Sequence, residues 1–289
     1  MNAFAQQFYS FVCSVSPESR LRLAPTPSGY LHLGNALNFT LSWLAAKYCG
    51  GRALGASPAN IFLRIDDLDA DRKRPEYVQD IFDSLEWLQL DWTGEPVFQS
   101  EKARNPQYIN LLNQLREQNL LFACQKSRRD LEAFGDKYPF EFRNQGLDLD
   151  RPDVAWRIKT PQNFPIPDFV VRRRDGIPAY QVASLADDLE MGITHIVRGQ
   201  DLKTSTIAQR FLAESISADN FLKINFLHHP LVLGEGGDKL SKSAGATSLR
   251  AMRDAGEDPY IVFQRVGSWL GLEGRSAQEL LYALQTKLA

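Results

Sequence analysis

The turn PTPSGYLHLGN, residues 25–35, combines residue types that bind anions. It stands between a predicted strand and a predicted internal helix. Because such a turn directs backbone N–H groups and a helix N-terminus toward one point, it predicts an anion-binding site. His32 adds a hydrogen-bond donor, and Gly34 lets a ligand approach the backbone closely. The alternative is an ordinary connection rich in proline and glycine.

A second segment, GEGGDKLSKS at residues 234–243, carries two lysines three positions apart. Its glycines predict a mobile loop. A movable pair of cations, Lys239 and Lys242, suits a phosphate whose negative charge grows in the transition state. The alternative is a solvated loop with two lysines. The two segments together are much more specific for phosphate chemistry than either one alone.

The elements that must position these segments alternate between strand and helix. Residues 20–24 predict a short strand, and residues 35–48 predict a helix that is apolar on most sides and therefore internal. Residues 61–65 predict a buried strand, and a helix begins near Pro75 with apolar residues at helical spacing. This order is typical of an α/β fold with a parallel sheet.

The middle of the chain has a different pattern, rich in charge, proline and glycine between residues 125 and 180. We interpret it as an inserted α+β module with a helical region at 101–124 and short strands at 154–158, 169–173 and 177–182. The α/β pattern then resumes, and only helices follow it. The predicted later elements are a helix at 181–191, a strand at 195–198, a helix at 203–217, a strand at 226–233, and helices at about 247–255, 258–271 and 275–288.

Four blocks in order, RLAPTPSGYLHLGN, LRIDDLDADR, VRGQDL and KLSKS, resemble the glutamyl/glutaminyl branch of the class I aminoacyl-tRNA synthetases. The resemblance covers roughly residues 20–250 and implies a Rossmann-like catalytic domain split by an acceptor-binding insertion. The implied organisation is an N-terminal extension at 1–19, catalytic halves at 20–100 and 180–245, an insertion at 101–179, and short C-terminal helices at 246–289. We interpret the extension as ragged and expect no anticodon-binding domain.

The resemblance also implies an activity and assigns site residues. Family members form an aminoacyl-adenylate from an amino acid, ATP and Mg²⁺, and then transfer the aminoacyl group to RNA. The implied catalytic residues are His32, Lys239 and Lys242, and the implied ATP-binding residues are His32, Gly34, Asn35, Lys239, Ser241 and Lys242. The implied glutamate-binding residues are Arg22, Thr26, Asp66, Tyr180 and Arg198. A guanidinium fork binds a carboxylate with two hydrogen bonds, which fits a dicarboxylic amino acid. Asp66 stands where the family usually has a longer Glu.

The acceptor is less constrained than the amino acid. Only 46 residues follow Ser243, and Gly199 and Asp201 of VRGQDL resemble a truncated subfamily that loads glutamate onto the queuosine base of tRNA(Asp). We take this as the leading hypothesis. The alternative within the family is a free-standing catalytic core that charges the 3′ end of tRNA. A nucleotidylyltransferase and a non-catalytic paralogue are the alternatives from other classes.

Composition limits the remaining possibilities. With 33 basic and 35 acidic residues among 289, the chain has a net charge of −2, which excludes a histone-like basic protein. Local basic clusters do occur, and those in the insertion are the better candidates for RNA phosphate contacts, the alternative being solvated faces. The clusters are Arg72-Lys73-Arg74, Lys126 with Arg128-Arg129, and Arg172-Arg173-Arg174. Three dispersed cysteines argue against a disulfide framework, and Cys124 with Tyr138 offers too few ligands for the zinc that the subfamily often carries. We expect no zinc, no membrane span and a cytoplasmic location.

Overall fold

The computed structural model describes residues 2–48, 58–69, 71–101, 104–135, 138–231 and 248–289. Packing divides the chain into two compact units, each built from separate stretches of sequence. The first unit comprises Met1–Ser100, Ile193–Leu202 and Ile224–Ala289. The second unit comprises Glu101–Gly192 and Lys203–Lys223.

The described residues form α-helices and short strands along the whole chain. In chain order the helices are α1 (Ala3–Ser14), α2 (Leu33–Tyr48), α3 (Pro75–Trp87), α4 (Asn105–Glu117), α5 (Arg128–Leu131), α6 (Tyr180–Glu190), α7 (Lys203–Ser215), α8 (Asp219–Leu222), α9 (Leu249–Asp254), α10 (Tyr260–Leu270) and α11 (Ala277–Leu288). The strands are β1 (Arg20–Leu23), β2 (Asn60–Ile65), β3 (Val97–Phe98), β4 (Leu121–Cys124), β5 (Ala155–Ile158), β6 (Val170–Arg172), β7 (His195–Gly199) and β8 (Asn225–His229).

Parallel strands packed by helix α2 form the centre of the first unit. Strands β1, β2 and β3 are parallel in that order, and β7 pairs in parallel with β8. The backbone N–H of Thr194 donates to the carbonyl of Arg20 at 2.9 Å, so the amino ends of β7 and β1 lie together. Helix α2 buries residues on nearly all sides, and Asn38 donates to the carbonyl of Val197 at 3.1 Å. The predicted α/β fold is confirmed.

The N-terminal segment differs from the ragged extension expected at 1–19, because α1 (Ala3–Ser14) is a packed helix. Asn2 caps its N-terminus by accepting from the N–H of Ala5 at 2.8 Å. Phe8 and Phe11 are buried in the hydrophobic core, and the hydroxyl of Tyr9 donates to the carbonyl of Leu270 in α10. Apolar residues at positions i, i+3 and i+4 form one helix face, which explains why this segment folds onto the unit.

The second unit contains the antiparallel sheet β4-β5-β6 and the helices α4 to α8. Asp187 of α6 joins two of these helices, since its buried carboxylate accepts from Arg104 at 2.7 Å and from the hydroxyl of Tyr108 at 2.9 Å. The helices α6, α7 and α8, which the sequence assigned to the second catalytic half, group with this unit by packing. The domain boundaries themselves stay a prediction.

Three sequence expectations about individual elements were wrong. The helical region at 101–124 ends at Glu117, and Asn119 with a φ of 56° leads into strand β4. The strand expected at 177–182 is only an isolated bridge at Pro178, which has no N–H for a ladder, and α6 starts at Tyr180. Strand β8 ends at His229, directly before Pro230, instead of continuing to residue 231.

Candidate active site

The HLGN turn places His32 at the start of helix α2. The backbone N–H of His32 donates to the side chain of Asn35 at 3.0 Å, and the His32 carbonyl accepts from the N–H of Asn35 at 2.9 Å. A Cβ on Gly34 would lie 2.9 Å from Cε1 of His32, so only glycine leaves room for the imidazole in this position. The three predicted ATP-binding residues of this turn therefore form one hydrogen-bonded and sterically matched group at the positive end of a helix.

The chain that follows the KLSKS motif is bonded to the same turn. Ser248 forms an isolated antiparallel bridge with His32, and the N–H of Leu249 donates to the carbonyl of Leu31 at 2.8 Å. Ser248 also caps α9 by accepting from the N–H of Ala251 at 3.1 Å. The predicted residues Lys239, Ser241 and Lys242 lie outside the described residues. The structure describes Ser248 and Leu249, which follow their segment, and both are bonded to the HLGN turn.

Arg22 and Arg198 lie in the interior of the first unit. Arg22 is 5% exposed on β1 and Arg198 is 2% exposed on β7, and the amino ends of these strands are hydrogen-bonded to each other. The guanidinium of Arg198 stands 5.1 Å from the ring centroid of Phe226. A guanidinium fork can bind a substrate carboxylate with two hydrogen bonds.

Asp66 is held by a neighbour that the sequence analysis missed. Arg64, fully buried on β2, donates from Nε and Nη2 to the two carboxylate oxygens of Asp66 at 2.6 and 3.2 Å. The backbone N–H of Asp66 donates to the carbonyl of Pro25 at 2.8 Å, which brings the exposed Thr26 beside the end of β2. Residues i and i+2 of a strand lie on one face, and this spacing was the signal that could have revealed the pair.

Tyr180 is the remaining residue of the predicted glutamate pocket. It belongs to the second unit, where it is the first residue of α6 and 40% exposed. The structure thus gives Arg22, Thr26, Asp66 and Arg198 to one unit and Tyr180 to the other.

The basic clusters are largely engaged within the protein. Lys73 donates to Asp67 at 2.6 Å, and Arg173 pairs with Asp175 at 2.7 Å. Arg172 stacks over Trp156, with 4.8 Å from its guanidinium carbon to the ring centroid. These contacts favour solvated or packed charge over dedicated phosphate binding for the runs at 72–74 and 172–174.

The region where the subfamily often binds zinc contains a hydrogen bond between side chains. Sγ of Cys124 and the hydroxyl of Tyr138 lie 3.0 Å apart, and burial, followed by the neighbouring thiol, raises the pKa of Tyr138. Within the described ranges no group of three or more His, Cys, Asp or Glu side chains is arranged to hold a metal ion. Phe122 is buried in this region, whereas Phe134 and Phe140 are each 42% exposed.

The end of β7 carries a second close approach. A Cβ on Gly199 would lie 2.5 Å from a carboxylate oxygen of Asp201 and 3.6 Å from the ring of His229. Burial lowers the pKa of His229, and a hydrogen bond to the carbonyl of Pro230 opposes the shift. The VRGQDL block therefore forms a tight turn at the carboxyl end of the β7–β8 pair, and its glycine is needed for space.

Comparisons with known proteins agree with this architecture. The catalytic-domain family described as tRNA synthetases class I (E and Q) matches residues 18–139 and 143–286. The chain belongs to this family of class I tRNA synthetases.

Individual relatives within this family carry more specific names. A protein of Parasynechococcus marenigrum named Glutamyl-Q tRNA(Asp) synthetase is 41% identical over 257 residues, which cover 87% of this chain and 83% of the relative. A protein of the same name from Pseudomonas aeruginosa is 37% identical over 265 residues, covering 82% and 85%. A glutamate tRNA ligase from Elizabethkingia meningosepticum superposes with a TM-score of 0.70 at 25% identity, covering 93% of this chain and 65% of that chain.

None of the helices in the described ranges has the length and apolar character that crossing a bilayer requires.

Proposed function

We propose that this chain activates glutamate with ATP and transfers the glutamyl group to the queuosine base in the anticodon loop of tRNA(Asp). The observation that carries the proposal is the burial of Arg22 and Arg198 in the unit that also holds the HLGN turn. The two relatives named Glutamyl-Q tRNA(Asp) synthetase that are described above support this acceptor, because this chain matches 83% and 85% of their lengths. The proposed location is the cytoplasm.

The proposed reaction has two steps. An oxygen of the glutamate α-carboxylate attacks the α-phosphorus of ATP, glutamyl-adenylate forms, and pyrophosphate leaves. A hydroxyl of the acceptor then attacks the glutamyl carbonyl carbon, the new ester forms, and AMP leaves. Mg²⁺, which the family implies, would neutralise phosphate oxygens of ATP.

Each site residue receives a role in this scheme. Arg22 and Arg198 bind the side-chain carboxylate of glutamate. His32, Gly34 and Asn35 hold the ATP phosphates at the start of α2, and Lys239, Ser241 and Lys242 stabilise the charge that develops on them. Thr26 and Asp66 complete the glutamate pocket of the first unit, and Tyr180 keeps the glutamate-binding role that the family resemblance implies. Arg129, an exposed residue of α5 in the second unit, is the proposed contact to RNA phosphates, whereas Lys126 stands 4.8 Å from the ring centroid of Phe142.

Substrate choice tests the arginine assignment. We expect ATP–pyrophosphate exchange with glutamate and little with glutamine or aspartate, because a neutral amide leaves buried positive charge poorly matched. Arg22→Ala should lower kcat/KM for glutamate by about 10²-fold or more. Arg20→Ala, on the same strand but stacked over Phe62, is the matched control and should retain exchange. Equal exchange with glutamine would contradict the assignment.

The acceptor is tested with labelled glutamate. Glutamate should transfer to tRNA(Asp) that carries queuosine and not to the same tRNA without it. A tRNA truncated at its 3′ end should still accept glutamate, because the reacting diol lies on the base in the anticodon loop. An unstacked loop base can be recognised individually, which makes such a reaction sterically feasible. If truncation abolishes transfer while intact tRNA(Glu) is charged, the chain is instead a 3′-end synthetase core.

A further inference from the structure

Asp80 of helix α3 joins two segments that flank the proposed ATP site. Its carboxylate is 1% exposed, and its two oxygens have different partners. Oδ2 accepts from the backbone N–H of Leu31, the residue before His32, at 2.9 Å. Oδ1 accepts from Nη2 of Arg253 in α9 at 2.7 Å. One buried carboxylate therefore bridges the HLGN turn and the helix that follows the KLSKS motif.

Arg253 completes the bridge from the other side. Its Nη1 donates to the hydroxyl of Ser84, one turn along α3 from Asp80, at 2.6 Å. The guanidinium thus binds α3 at two points, with a second carboxylate, Asp83, 3.9 Å away. Two charge-assisted hydrogen bonds in a largely buried setting hold their geometry more firmly than surface pairs do.

Backbone bonds close the same arrangement. Leu249, four residues before Arg253, donates to the carbonyl of Leu31, and Ser248 is bridged to His32. Leu31 is therefore held through its N–H by Asp80 and through its carbonyl by Leu249. One hydrogen bond to a side chain of α3 and one backbone hydrogen bond to the start of α9 therefore fix the position of the turn.

We propose that Asp80 and Arg253 are positioning residues for glutamyl-adenylate formation. Together they hold the HLGN turn in a fixed position relative to helix α9. The inference rests on the proposed function. Neither side chain is assigned to touch substrate. They act through the turn that holds His32 on one side and through α9 on the other. Small misplacements of groups that act on developing charge lower the rate at saturation more than they weaken substrate binding.

The test separates adenylate formation from transfer. Asp80→Asn and Arg253→Met should each lower the kcat of ATP–pyrophosphate exchange by about tenfold or more, while KM for ATP changes little. Single-turnover transfer of glutamate from preformed glutamyl-adenylate to RNA should stay within a small factor of wild type. Arg253→Lys, which keeps the charge, should recover part of the rate. Glu86→Gln, at an exposed position of the same helix, is the matched control and should behave as wild type.

Several outcomes would overturn the proposal. Exchange at the wild-type rate in Asp80→Asn and Arg253→Met would show that the bridge is structural only, and so would equal losses in exchange and transfer. If these variants do not fold, Ser84→Ala, which removes one hydrogen bond to Arg253, decides between a lowered and an unchanged kcat. A wild-type protein without glutamate-dependent exchange would overturn the proposed function as well, which distinguishes the two failures.

Discussion

Arg64 grips both carboxylate oxygens of Asp66, at 2.6 and 3.2 Å, and both side chains are buried. Asp66 stands where the family usually has a Glu that holds the ammonium group of the substrate, and the structure adds a partner that fixes the Asp66 carboxylate within the protein. An acid held in this way keeps its orientation when substrate leaves. The position of the Asp66 carboxylate is therefore set by its contacts with Arg64 as well as by its side-chain length, which is shorter than that of Glu.

Removing one partner of this buried pair should be costly. Asp66→Ala should lower the free energy of unfolding by about 3 kcal/mol or more, because the Arg64 charge stays buried without its carboxylate. Replacing both residues, with Arg64→Met and Asp66→Leu, should recover much of the loss. Arg72→Ala, which breaks an exposed pair with Asp69, is the control and should cost about 1 kcal/mol or less. Chemical denaturation measures all three variants, and equal effects of the buried and exposed changes would contradict the interpretation.

Gly34→Ala should reduce activity without reducing stability. The added methyl would meet the His32 ring at 2.9 Å and displace it. Since alanine is the better helix former, Tm should stay the same or rise, while kcat of exchange falls about tenfold or more.

A double-mutant cycle identifies the cause of that loss. If Gly34→Ala acts through the imidazole, it should add little to the loss already produced by His32→Ala. Additive losses would instead place the effect on the backbone approach to ATP.

Lys242→Ala should slow adenylate formation far more than it weakens ATP binding. The lysine is expected to act on phosphate charge that develops in the transition state, and losing one such interaction costs about 10²-fold in kcat. Steady-state exchange at saturating ATP, together with ATP affinity from calorimetry, measures the two effects. Lost affinity with an unchanged saturated rate would make the lysine a binding residue only.

The insertion should keep its fold without metal. A structural zinc site needs four ligands, and the second unit offers Cys124 and Tyr138 bonded to each other, whereas Cys13 lies in the first unit. A strong chelator should leave Tm unchanged, and elemental analysis of purified protein should find no stoichiometric zinc. One zinc per chain with a lower Tm after chelation would refute this.

Local sequence patterns predicted much of the fold because they coincide with what the structure buries. The all-round apolar segment became α2, and the α/β pattern was confirmed as a class I synthetase family fold. The packing of α1 and the contacts of Asp80 were not predicted, because they depend on partners distant in sequence. The bond of Tyr9 to Leu270, and the contacts of Asp80 with Leu31 and Arg253, join residues far apart in sequence. Periodicity within one segment carries no information about such pairs.

The packing of helix α1 in the core affects how the protein can fold during its synthesis on the ribosome. Its side chains Asn2 and Tyr9 bond to the carbonyls of Trp269 and Leu270, which are made more than 250 residues later. The second unit ends at Lys223, so its contacts can all form first. The first unit can close only after α10 has emerged, and until then the apolar face of α1 must stay exposed or be shielded by a chaperone.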